Sequence, residues 1–317
     1  MIHGIHHITA ICGDPQKNLE FYTGILGMRL VKKTVNFDDP ETYHLYYGNE
    51  TGHPGSLITF FPWMHMPEGK PGLSEATSMA FAVPENALEY WRQRFGRFGI
   101  PCSGPEERMN EKVLVFRDYD GIHLELVATN GLTGPDPGMD SPVPPAYAIR
   151  SVHSVALTIE EVGPTIELLT QTLGFRPAGE DKKRKRFACG PGGHSTLVDL
   201  IYEPLAKPGR TGKGSIHHVA FRTKNKESQL LMREKLNAVR LQVSPVIDRD
   251  YFYSVYFREP GGVLLEIATD PPGFTTDETL DELGTSLKLP AEHKAQEEHI
   301  RKSLPELKPV DAETYKG

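Results

Sequence analysis

The chain has 317 residues, of which 38% are hydrophobic and 24% charged, ample material for an ordinary globular core. Acidic side chains outnumber basic ones, 42 to 35, for a formal net charge of −7, which argues against a nucleic-acid partner. No apolar run approaches the roughly 18 residues of a membrane span. The first residues lack a secretory pattern, and Cys12, Cys102 and Cys189 are too scattered for a disulfide framework or a zinc motif, so reduced thiols in a cytoplasm are expected.

In chain order, the first element is an apolar strand, Ile5-His6-His7-Ile8-Thr9. Asp14 then reads as an N-cap and Pro15 as the first helical residue. Leu19, Phe21, Tyr22, Ile25 and Leu26 form the buried stripe, and Gly27 ends the helix. Met28 to Phe37, Tyr43 to Tyr47 and Ser56 to Trp63 follow as strands rich in β-branched and aromatic residues. This βαβββ order recurs. Similar strands open at Ser78-Met79-Ala80-Phe81-Ala82, Val152-His153-Ser154-Val155-Ala156 and Ile216-His217-His218-Val219-Ala220-Phe221, spaced by about 60 to 75 residues. Helices are expected over Ala87 to Phe98, Ile159 to Thr172 and Glu227 to Val239.

Two constant offsets link the repeats. Gly27-Met28-Arg29 matches Gly174-Phe175-Arg176 at 147 residues, which places Ser154 on His7. Phe116 to Leu126 matches Phe257 to Ile267 at 141 residues without a gap. The chain therefore divides into residues 1–131 (modules one and two), a Pro/Gly-rich linker over 132–148, residues 149–271 (modules three and four) and a tail over 272–317. In the tail, Thr276 to Leu283 and Pro290 to Leu304 read as two polar helices. The basic run Lys182 to Arg186 reads as a solvated hairpin tip.

Most of the 13 histidines carry no partner pattern: His3, His44, His53, His123, His194, His293 and His299 read as structural, and His65 as part of a surface loop. The doublets His6-His7 and His217-His218 differ, because they occupy one equivalent place in two modules. Strand alternation puts His7 with Thr9, and His218 with Ala220, on the small and polar face that lines a concavity, with His6 and His217 one residue away. Hydrogen-bonded core histidines are the bland alternative. Glu266 lies inside Val263-Leu264-Leu265-Glu266-Ile267-Ala268, where a carboxylate costs several kcal/mol unless paired or bound to a metal. Glu125 poses the same question, with an arginine ion pair or an edge strand as the alternatives. The equivalent positions elsewhere hold Ser78, Ser154 and, in module three, Asp199 or a neighbour. Pairing module one with four, and two with three, gathers His7, His218 and Glu266. Two imidazoles and one carboxylate make the donor set of non-haem Fe(II) oxygenases; Zn, Mn or Ni would also suit it.

With these residues in place, the sequence resembles the vicinal-oxygen-chelate superfamily of paired βαβββ modules over nearly its whole length. The His-His doublets and the series Arg249, Tyr256, Glu266 resemble its branch of ring-cleaving dioxygenases for hydroquinone-type substrates, and Phe274-Thr275-Thr276-Asp277-Glu278 does so as well. The resemblance implies an α+β fold of two such domains with a C-terminal helical appendage. It implies His7, His218 and Glu266 as metal ligands to Fe(II), surrounded by His6, Thr9, His217, Arg249 and Tyr256. It further implies extradiol-type cleavage of a small aromatic by O2, in catabolism or detoxification. His217 or Tyr256 would take the phenolic proton, and Arg249 or His6 would meet the developing negative charge. On residue evidence alone, Tyr256 could equally be a β-favouring aromatic; it aligns with Val115, whereas Arg249 aligns with Arg108. Thr9, Ala220 and Leu264, with Tyr251, Phe252 and Tyr253 nearby, are expected to wall the pocket, and a para-dihydroxylated ring is expected over a catechol. The competing classes are a glyoxalase-like isomerase and a metal-free binding protein of the same fold. The sequence sets no oligomeric state, and a homo-oligomer is compatible with it.

Overall fold

The computed structural model describes residues 1–132, 138 and 140–317; the centre of the expected linker (133–137 and 139) lies outside them. Module one supplies β1 (Gly4–Cys12), β2 (Arg29–Asn36), β3 (Asp39–Gly48) and β4 (Leu57–Pro62), with helix α1 (Pro15–Leu19) running into a π turn at Glu20–Ile25. Module two supplies β5 (Glu75–Pro84), α2 (Leu88–Arg97), β6 (Cys102–Arg108), β7 (Glu111–Arg117) and β8 (His123–Thr129). Module three supplies β9 (Ser151–Ile159), α3 (Val162–Glu167, continued by a π turn at Leu168–Thr172), β10 (Arg176–Asp181), β11 (Arg184–Ala188) and β12 (Leu197–Tyr202). Module four supplies β13 (Ser215–Thr223), α4 (Lys226–Ala238), β14 (Ile247–Asp248), β15 (Phe252–Arg258) and β16 (Leu264–Pro272).

The local signals act as the residue chemistry dictates. Asp14 accepts from the amides of Gln16 and Lys17, capping α1 with proline in its first turn. Gly27 leaves the following π turn at φ +69°, a conformation that favours glycine. Ile159 belongs to β9 rather than to the third helix, which starts at Val162; the β-branched run simply continues the strand.

Two eight-stranded sheets result. One has the order β14-β15-β16-β13-β1-β4-β3-β2 and the other β10-β11-β12-β9-β5-β8-β7-β6. The first strand of module one thus pairs antiparallel with the first strand of module four, and that of module two with that of module three. Within each module the first and last strands run parallel, joined through the helix. One continuous apolar core joins strands and helices of both sheets, including Phe21, Trp91, Phe116, Val155 and Phe221. Arg94 crosses it, donating from α2 to the carbonyls of Gly24 and Ile25 at 2.8 and 2.7 Å, which satisfies the end of the first helix.

Four β-bulges disturb the central strand pairs, and they fall at matching places. The register along β1 skips His6, along β13 His217, along β9 His153 and along β5 Thr77. An inserted residue interrupts the alternation of faces. Strict alternation would send the two members of a histidine doublet to opposite faces. Here the rings of each doublet touch instead.

The tail departs from two polar helices. Its first part is a 3-10 turn (Phe274–Thr276) followed by irregular chain; the second is a 3-10 turn (Ala291–Gln296) leading into α5 (Glu297–Ser303). The first segment is held by Lys32, wholly buried on β2, whose ammonium meets Asp277 and Glu278, the Phe274 carbonyl and the Tyr251 ring. A buried cation needs partners of this kind, and they override helix propensity over 277–283. The basic run also departs from expectation. Lys182 and Lys183 occupy the hairpin turn, but Arg184 and Arg186 turn inward onto Asp199 at 2.7 Å.

Candidate metal centre

Cross-strand register builds the site. Tyr256 lies opposite Glu266, Glu266 beside Ala220, and Ala220 opposite His7, so one row across β15, β16, β13 and β1 carries a phenol, a carboxylate and an imidazole. Thr9 lies opposite His218, which brings in the second imidazole. His218 Nε2 is 2.9 Å and His7 Nε2 3.4 Å from the same oxygen, Glu266 Oε2, and the three ligand atoms lie within 4.8 Å of one another. All three side chains are buried.

The donor set fits a divalent metal on two further grounds. First, His218 Nε2 and Glu266 Oε2, though close, find no well-aligned hydrogen-bond partner among the described residues, so buried lone pairs converge on one point. Second, the outer atoms are tied down. His7 Nδ1 meets His6 Nδ1 at 2.9 Å, His218 Nδ1 meets His217 Nδ1 at 2.8 Å, and Ser254 donates to Glu266 Oε1 at 2.5 Å. Hydrogen-bonded outer atoms of this kind orient metal ligands.

Burial by itself would raise the Glu266 carboxyl, but His7 and His218 outweigh it and hold the group well below the usual carboxylate range. Burial lowers His218 against the raising effect of Glu266. Burial, reinforced by His218 and Arg258, holds His217 down at about 3. Burial and the Glu266 charge push the Tyr256 phenol up, so it stays protonated.

A cavity of about 350 Å³ opens onto this centre. His7, His218, His217, Arg249 and Tyr256 line it. Arg249 Nε lies 3.4 Å from the Tyr256 hydroxyl, and its guanidinium reaches Asp38 at 3.4 Å. The structure puts His6 and Thr9 behind the ligands, outside the cavity wall. Among the expected wall residues, Phe252 and Leu264 line the cavity, and Phe252 packs 5.1 Å from the His7 ring. Ala220 and Tyr251 are buried away from it, and Tyr253 sits under Lys226 instead. Residue reasoning missed Ser254, and it assigned His44 no role although His44 lines the cavity with Tyr46, Phe61 and Trp63. The available signal was alternation, since His44 and Tyr46 share one face of β3.

Glu125 resolves to its ion-pair alternative: Arg108 reaches it at 2.7 Å and Arg184 at 4.0 Å.

Comparison with known proteins agrees with this architecture. The family model of the Glyoxalase/Bleomycin resistance protein/Dioxygenase superfamily matches residues 4–126 and again 151–267. The chain is 43% identical over 308 residues to MhqE of Bacillus subtilis strain 168, named as a ring-cleaving dioxygenase, covering 96% of this chain and 99% of that one. It is 31% identical over 312 residues to the chlorohydroquinone/hydroquinone 1,2-dioxygenase of Sphingobium indicum, covering 96% of each. The crystal structure of a Bacillus subtilis protein titled as a dioxygenase superposes with a TM-score of 0.93 at 39% identity, covering 97% of this chain and 98% of the other. The chain belongs to the Glyoxalase/Bleomycin resistance protein/Dioxygenase superfamily and, within it, to the ring-cleaving dioxygenases.

Proposed function

We propose that this enzyme is an Fe(II)-dependent, extradiol-type dioxygenase of hydroquinone-like aromatics, with His7, His218 and Glu266 as the metal ligands. The observation that carries the reading is the convergence of three buried donor atoms, two of them without hydrogen-bond partners, at the floor of one cavity. Bound there, Fe(II) would supply the redox path between an aromatic ring and O2 that side chains lack.

The chain's own residues do the rest. Aromatic side chains and Leu264 wall the cavity and suit a flat ring. Among the described residues Arg249 is its single lysine or arginine, so a phosphorylated substrate is disfavoured. The Tyr256 phenol, kept protonated, donates a hydrogen bond or a proton to a substrate or oxygen atom; Arg249 beside it offers fixed positive charge to developing negative charge. When His218 Nδ1 holds the proton shared with His217, the His217 proton sits on Nε2, in a ring that lines the cavity. His217 then acts as a neutral donor rather than a base. His6 meets His7 in the same way and fixes its orientation from behind. The para preference is supported by the hydroquinone named for the Sphingobium indicum relative. Three unpaired cysteines suit the cytoplasm.

Anaerobic loading with Fe(II), followed by metal analysis and oxygen uptake with methylhydroquinone, chlorohydroquinones and catechols, tests the reading. One iron per chain and the highest specificity constant with a hydroquinone are expected. A higher constant for a catechol overturns the para assignment, and turnover without oxygen consumption overturns the dioxygenase chemistry in favour of an isomerase.

A further inference from the structure

The wall of the cavity contributed by module one carries a hydrogen-bonded chain that the mechanism above does not use. His44 Nδ1 lies 2.9 Å from the Tyr46 hydroxyl and His44 Nε2 2.9 Å from Thr59 Oγ1, which in turn lies 2.8 Å from Thr9 Oγ1. All four side chains are buried, and both His44 and Tyr46 line the cavity. The chain contains no charge: its links are two threonines, one phenol, and an imidazole that burial holds well below its usual pKa.

Such a chain runs in either direction. If Tyr46 donates to His44 Nδ1, then Nε2–H donates to Thr59, and the phenol oxygen keeps a lone pair for a ligand's O–H. If Thr59 donates to Nε2, then Nδ1–H donates to the phenol oxygen, and the Tyr46 O–H remains to meet a ligand's oxygen. Either arrangement suits an uncharged oxygen. Arg249, the one guanidinium lining the cavity among the described residues, is engaged by Tyr256 and Asp38 rather than by this chain.

Placement favours the far end of a bound ring. Tyr46 stands on β3, two strands from β1 with its His7. Two strand spacings set the two backbones about 10 Å apart, so the Tyr46 hydroxyl and the three ligands approach the cavity from different strands of its wall. In module three the matching register positions hold Arg184, Arg186 and Asp199 in place of His44, Tyr46 and Thr59. Ion pairs saturate the groups there, whereas in module one the neutral groups leave capacity for a ligand.

We infer that Tyr46, held in place by His44, recognises an uncharged oxygen substituent on the substrate ring at the end remote from the His7–His218–Glu266 centre. Tyr46 is the specificity residue and His44 its positioning residue. The inference rests on the dioxygenase reading above and adds the recognition of the second oxygen.

The test uses full-length, zinc-loaded protein under argon, with binding of hydroquinone and of phenol measured by calorimetry. Wild type is expected to bind hydroquinone about tenfold tighter than phenol, the worth of one good hydrogen bond. Tyr46→Phe keeps the ring and should bring that ratio near one by weakening hydroquinone alone. His44→Leu should lower the ratio in part, again with phenol binding unchanged. Equal weakening of both ligands, or an unchanged ratio, overturns the inference. Iron-loaded wild type that consumes no oxygen with any hydroquinone fails the dioxygenase reading itself; wild-type turnover with a ratio indifferent to Tyr46→Phe fails this inference alone.

Discussion

The two sheets share a register and even their bulges, yet their concave faces are chemical opposites. In the sheet of modules two and three, carboxylates are matched with cations. Asp199 takes Arg186 and Arg184, Glu125 takes Arg108, and Glu111 takes Arg186 and His153. In the sheet of modules one and four, Glu266 is wholly buried, and among the described residues no arginine or lysine lies within 4.0 Å of it; two imidazoles and a serine face it instead. Arg249 occupies the position of Arg108 but turns to Tyr256 and Asp38. The comparison teaches that a candidate centre arises here largely by subtraction. Take away the guanidinium groups that neutralise a buried carboxylate, put imidazoles in their place, and a site that attracts a cation is left. Where each carboxylate keeps its arginine, the same framework gathers no such set of donors among the described residues.

The contrast can be broken most severely at Glu266. Glu266→Ala should abolish metal binding and turnover together, checked by metal analysis after gel filtration; retained stoichiometric metal would remove Glu266 from the ligand set. The mirror experiment strikes the other sheet. Arg186→Met takes one of two partners from each of Asp199 and Glu111, leaving them Arg184 and His153, so the loss should fall below the roughly 3 to 5 kcal/mol of a buried pair broken outright. Denaturant unfolding should show that loss, with turnover per bound iron unchanged. A drop in turnover at full iron content would mean that the two sheets are functionally coupled. Tyr256→Phe sharpens the contrast with its module-two counterpart, Val115. It should lower turnover roughly 10- to 1,000-fold with iron content intact, and an unaffected rate would return Tyr256 to packing.

The smallest effect concerns acid. Burial pushes the Glu111 carboxyl up, but hydrogen bonds and charge from His153 and Arg186 prevail and bring it down to about 2, from a usual value of 4.5. A depressed carboxyl stabilises the fold fully above its unfolded value and loses that contribution as the pH falls through its folded value. The Tm advantage of wild type over Glu111→Gln should therefore hold above about pH 4.5 and shrink towards pH 2. A difference that stays constant across this window would show that Glu111 contributes through packing rather than charge.

The sequence made the repeats legible because the offset of 141 residues runs without a gap from Phe116 to Leu126, and that of 147 holds from the first strand to the glycine that ends the helix. The gathering of His7, His218 and Glu266 was also legible, since the doublets mark equivalent strands. The rest was hidden for physical reasons. Alternation picked out His7 and His218 but not the turning of His6 and His217 to touch them, because a bulge inserts one residue and nothing in Ile5-His6-His7 announces it. His44 looked solitary because its partner Thr59 comes from another strand. The inward turn of Arg184 and Arg186 depended on carboxylates that reach them only in the folded sheet.

The pairing of β1 with β13 also sets an order of assembly during synthesis. Strands β5 to β12 are contiguous in the chain and can complete their sheet by Tyr202. Module one must meanwhile keep the edge of β1 open, because its neighbour begins at Ser215. His7 precedes His218 by 211 residues, which at ribosomal speed is roughly 10 to 40 s. An unpaired strand edge is a template for wrong partners over such an interval. The ion-paired sheet would be the first part of the nascent protein to become solid, a platform against which the waiting half-sheet is sheltered. Capacity to hold a metal would arrive last, with Glu266, so that only a chain read through its fourth module carries the complete centre.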